Sequence, residues 1–122
     1  MATWDFSELK HHILICNGAS CLRNQGDEVT NAIRAELNRR GLDEVIHTTR
    51  TRCNGRCHDA CVTIVYPEGI WYKDIKPGDA KALVQSIASG AALDKKISHS
   101  YQHHQFVRNK ENNIIKGVKK YR

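Results

Sequence analysis

The chain has no long apolar run. Stretches such as Ile13-Leu14-Ile15-Cys16 fall far short of the roughly 20 residues that a helical membrane span requires. It also lacks a cationic start followed by an apolar segment, so no export leader is expected and the expected location is the cytoplasm. There is no internal repeat. No set of acid, base and nucleophile gathers near the cysteines, which argues against a catalyst acting on its own.

Net charge is nearly absent from most of the chain. Residues 1–93 carry 11 Lys/Arg and 11 Asp/Glu, whereas residues 94–122 carry 8 Lys/Arg against Asp94 and Glu111, which accounts for the whole excess of +6. That tail has thinly spread cations and no aromatic stacking platform, so nucleic acid is not the expected partner. With 122 residues, 40% of them hydrophobic, there is material for one compact core. The expected division is a domain over 1–93 and a basic polar tail over 94–122, mobile or ordered by a partner.

Within the first part, His11-His-Ile-Leu-Ile-Cys16 reads as a buried strand stopped by the turn pair Asn17-Gly18. Val29, Ala32, Ile33 and Leu37 recur at helical spacing between Asp27 and Arg40, with acids at the start and Gly41 as a stop. Residues 44–51 are β-branched and predict a strand. Val62–Tyr66 and Ile70–Tyr72 flank Pro67-Glu-Gly69 as a hairpin. Ala80, Leu83, Val84, Ile87 and Ala88 form one face of a second helix, with Pro77 before it and Gly90 after it. The order β-α-β-β-β-α predicts an α/β fold of thioredoxin-like outline, a small mixed four-stranded sheet covered by two helices, with the basic C-terminal tail beyond it.

What the chain does have is cysteine. Five in a chain with no export signal, an odd number, fit a disulfide framework poorly and suit metal or redox chemistry. They form two groups: Cys16-x4-Cys21 after the first strand, and Cys53-x3-Cys57 with Cys61 four residues on. If the first strand and the 44–51 strand run parallel, both groups emerge on one sheet edge. The intervening Asn17-Gly-Ala-Ser20 and Asn54-Gly-Arg56 are small or turn-prone; Gly18 and Gly55 could take positive φ, and the loops could aim N–H groups at sulfur. Two cysteine pairs match the four thiolates of a [2Fe-2S] cluster. Arg23, Arg50, Arg52 and Arg56 flank the pairs, and cations there favour the reduced, more negative cluster; Arg52 and Arg56 are expected to raise the potential.

Over residues 11–90 the sequence resembles the thioredoxin-like [2Fe-2S] ferredoxins. The likeness rests on Cys16-Asn-Gly-Ala-Ser-Cys21, Cys53-Asn-Gly-Arg-Cys57 and the hairpin Val62-Thr-Ile-Val-Tyr-Pro-Glu-Gly-Ile-Trp-Tyr72. The x4 spacing of the first pair looks like that of the 24-kDa subunit of respiratory NADH dehydrogenase. The resemblance implies a thioredoxin-like fold, often a homodimer, one-electron transfer to redox partner proteins, and Cys16, Cys21, Cys53 and Cys57 as cluster ligands. A likeness to ferredoxin-like proteins found beside cobalamin-biosynthesis genes would imply electron delivery in corrin chemistry. Cys61 departs from the family, which commonly has a small residue or proline there; spacing and family favour Cys57 as fourth ligand.

Other readings of the same cysteines are a binding module stabilised by zinc on four cysteines, free buried thiols, a dithiol oxidoreductase, and an electron-transfer subunit of a larger oxidoreductase. The dithiol reading lacks Cys-x-x-Cys at a helix start. His58 beside Cys57 reads as exposed and charge-tuning, and His11-His12 and His103-His104 as surface pairs.

Overall fold

The computed structural model describes residues 3–121. Strand β1 (His11–Cys16) is followed by a single helical turn, α1 (Ala19–Arg23), and then by α2 (Gly26–Arg39). β2 (Ile46–Thr51), β3 (Thr63–Tyr66), β4 (Ile70–Tyr72), α3 (Ala80–Ser89), β5 (Ile97–Gln102) and β6 (Gln105–Arg108) complete the chain. The sheet order is β2-β1-β3-β4-β5-β6, with β1 and β2 parallel and the other pairings antiparallel. The parallel pair is joined through α2, as a β-α-β unit requires.

Alternation along β1 places Ile13 and Ile15 on one face, and both are fully buried. They share one core with Val29, Ile33 and Leu37 of α2 and with Leu83 and Val84 of α3. Each such side chain contributes about 1.5–3 kcal/mol through burial. Gly90 ends α3 at φ +81°, the left-handed cap that its sequence position predicts. No helix among the described residues is long and apolar enough to cross a membrane.

The sheet has six strands where four were expected, and the excess lies in the segment expected to be a tail. Residues 97–108 fold into the β5–β6 hairpin, and β5 pairs with β4 through Trp71 and His99. The turn between them holds only two residues, His103 and His104, at φ +51° and +67°. That is the left-handed geometry such short hairpin turns demand, and it is usually supplied by Asn-Gly. Beyond β6 the chain stays attached: Ile114 is buried, Arg108 donates to the Ile114 carbonyl at 2.9 Å, and Asn112 Nδ2 donates to the Ile97 carbonyl at 3.0 Å. Within the segment expected to be a basic tail, residues 97–108 are strand-paired and the chain beyond Arg108 is strapped back onto the domain.

Candidate metal centre

β1 ends at Cys16 and β2 at Thr51, and these two residues are register partners in the parallel pair. Both following loops consequently leave the same edge. The Asn17 N–H donates to the Thr51 carbonyl at 2.8 Å, and its side-chain amide donates to the Ile15 carbonyl at 3.1 Å. The first loop is thus tied to the second before any cysteine side chain is considered.

Gly18 then runs against the second loop. A Cβ there would lie 2.7 Å from the Cα of Cys53, so the two backbones meet where only glycine fits. Its φ is −65°, so the freedom to take positive φ goes unused, and close approach is what requires glycine here. Gly55 does adopt φ +83°, which turns its N–H onto Cys53 Sγ at 3.3 Å. Asn54 holds this turn by donating to Thr51 Oγ1 at 2.6 Å.

All five cysteines are reduced; Cys16, Cys21 and Cys61 are buried, and Cys53 and Cys57 exposed. The sulfurs of Cys53 and Cys57 lie 3.3 Å apart. Cys21 occupies α1, a helical turn rather than the expected open loop, and its thiol meets that of Cys16. Cys61 is fully buried and donates to the Cys16 carbonyl at 3.7 Å. Contact with Cys61, then burial, pushes the Cys21 thiol far up; burial raises Cys16, and the neighbouring Cys53 raises Cys57. Thiols must shed their protons to bind metal, so loading this site releases protons.

The arginines divide. Arg50 pairs with Asp27 at 2.9 Å, and Arg56 pairs with buried Asp59 at 2.8 Å. Arg56 also donates to the carbonyls of Ile115 and Lys116. Arg23 rests on Ser20 Oγ at 3.3 Å, while Arg52 and His58 are exposed beside Cys53 and Cys57. Sequence reasoning missed the Arg56–Asp59 pair, although opposite charges three residues apart are a legible signal.

Residues 7–88 match the sequence profile of the thioredoxin-like [2Fe-2S] ferredoxins. The chain belongs to this family. A Priestia megaterium protein that carries the name 2Fe-2S ferredoxin is 45% identical over 121 residues, 98% of this chain and 94% of the relative. A 2Fe-2S ferredoxin of Clostridium pasteurianum is 29% identical over 96 residues, 72% of this chain and 94% of its own. The fold matches a thioredoxin-like [2Fe-2S] ferredoxin from Aquifex aeolicus with TM-score 0.71 at 22% identity, covering 77% of this chain and 94% of that one. This ferredoxin accordingly has the thioredoxin-like α/β fold, takes a [2Fe-2S] cluster and serves electron transfer.

Proposed function

We propose that this ferredoxin is a one-electron carrier with no catalysis of its own, and that Cys16, Cys21, Cys53 and Cys57 hold its [2Fe-2S] cluster. The observation behind the ligand assignment is the exposed Cys53–Cys57 sulfur pair, 3.3 Å apart, standing across the Gly18 contact from the buried Cys16–Cys21 pair. The donor set suits the cluster: soft thiolates in two pairs, and an N–H from Gly55 aimed at Cys53 sulfur. When bound, the cluster supplies the reversible one-electron chemistry.

Cys61 packs behind this set without belonging to it. It is fully buried, and its thiol is already engaged with the Cys16 carbonyl, so it acts as a packed thiol behind the first pair. The zinc alternative needs donors converging on one point. Two pairs of cysteines, one exposed and one buried, instead give the stoichiometry of two irons, each chelated by a pair. Electron delivery to corrin chemistry is a narrower role that neither the site nor the relatives' names support, and it forms no part of the proposal.

Anaerobic purification followed by iron, sulfide and EPR measurement tests the reading. Two irons, two sulfides and a signal that appears on reduction are expected. Cys57→Ser should alter or abolish that signal while Cys61→Ala leaves it intact. The reverse pattern would transfer the fourth ligand to Cys61, and a colourless, iron-free chain after reconstitution would end the cluster assignment.

A further inference from the structure

The positive excess of the chain lies in residues 94–122, and the fold returns the end of this segment to the cysteine loops. Arg56, adjacent in sequence to Cys57, donates to the main-chain carbonyls of Ile115 and Lys116. Gly117 lies so close that a Cβ there would stand 3.2 Å from Arg56 Nη1. The strap is thereby fixed within one arginine side chain of an exposed thiol. Because the latch uses carbonyls, the Lys116 side chain is not consumed by it. Lys116, Lys119 and Lys120 are all exposed.

Next to the cysteines in sequence, Arg23 and Arg52 are exposed as well. Two nearby acids are already paired, Asp59 with Arg56 and Asp27 with Arg50. Exposed cations therefore flank both cysteine groups in the sequence, and the Arg56 latch brings the strap that carries Lys116 to the loop of the two thiols that reach the surface. The same segments expose apolar groups beside these cations in sequence: Leu22 is 50% exposed and Ile115 47%. A charged rim around a small apolar centre is the usual build of a transient protein contact.

We infer that the edge bearing Cys53 and Cys57 is a docking surface for a redox protein that presents carboxylates. The inference rests on the cluster reading, since it takes the exposed pair as the place where the electron enters and leaves. Complementary charge speeds encounter and orients the partner. A nucleic-acid site would need stacking rings interleaved with the cations, and the strap's aromatic content is limited to Tyr121.

The test follows electron transfer from the reduced, cluster-loaded full chain to two probes, oxidised flavodoxin as the acidic protein and ferricytochrome c as the basic one, by stopped flow. The flavodoxin rate should fall about tenfold between low salt and roughly 0.3 M salt, and the cytochrome rate should rise. The variant K116E/K119E/K120E should lose most of the flavodoxin salt dependence while its visible and EPR spectra stay those of the parent. A second variant, Arg52→Glu, probes the opposite rim in the same way. Salt-insensitive flavodoxin rates, or charge-reversed variants that behave like the parent, would overturn the docking surface with the cluster assignment untouched. Tight binding of a labelled single-stranded oligonucleotide at physiological salt, lost in K116E/K119E/K120E, would overturn it in favour of nucleic acid. Absence of the cluster signal would instead refute the reading beneath it.

Discussion

Gly18 and Cys53 meet backbone to backbone: a Cβ on the first would stand 2.7 Å from the Cα of the second. Neither partner is the far end of a flexible side chain, so the two loops themselves would have to part. Gly18→Ala should cost about 2 kcal/mol of stability and sharply reduce iron content. Gly78→Ala, with open space around it, should change neither. Iron assay and chemical denaturation of the two variants side by side check this.

Arg52 and Arg56 should separate in voltammetry. Arg56 is 18% exposed and paired with an Asp59 side chain that is 5% exposed. Arg56→Ala leaves that carboxylate buried without its cation and should cost about 3 kcal/mol. Arg52→Ala removes an exposed charge beside Cys53 and should leave stability nearly unchanged while lowering the reduction potential by roughly 30 mV, a screened Coulomb effect. Equal potentials in parent and Arg52→Ala would remove Arg52 from the tuning groups.

Acid should weaken the C-terminal end of α2. The Glu36 carboxylate accepts from Arg39 Nε at 3.0 Å and Arg40 Nε at 2.6 Å, which holds its pKa down to about 2 from the ordinary 4.5. Its stabilisation is fully present above 4.5. It is lost as pH falls toward 2, because the unfolded chain takes up the proton first. Glu36→Gln should therefore be less stable than the parent at about pH 7, with the gap narrowing as pH drops below 4.5 in denaturation curves. The acid lability of the cluster is common to both chains and cancels in the comparison.

The β5–β6 turn is improvable. His103 and His104 both sit at positive φ, where a non-glycine residue is strained by about 1 kcal/mol. Replacing the pair by Asn-Gly should raise stability by about 1 kcal/mol in chemical denaturation, with β5–β6 amides exchanging more slowly.

That same turn marks where the sequence stops being legible. β1, α2, the β3–β4 hairpin and α3 announce themselves because apolar spacing, acids at a helix start and Pro or Gly at the ends agree with one another. The β5–β6 hairpin does not: Ser98, Ser100 and Gln102 are polar, Ser98 is nonetheless buried, and the turn is made by histidines. What holds β5 is pairing to β4 across Trp71 and His99, a long-range contact with no local signature. At the metal centre the two cysteine groups were readable from spacing, and their shared edge followed from the parallel pairing. The need for glycine at 18 was readable too, but for the wrong reason, since close approach of two loops distant in sequence leaves no trace in either. The Arg56 latch on the strap is of the same kind.

Parallel pairing of β1 with β2 also has a mechanical meaning. Cys16 and Thr51 close the register, so a cluster on the four proposed ligands would bolt together two loops separated by a whole helical crossover. Such a bolt works as a crosslink does, by denying the unfolded chain its freedom, and more so for a long enclosed segment. Loss of iron would then silence the carrier and also unpin the sheet edge from which both cysteine loops emerge.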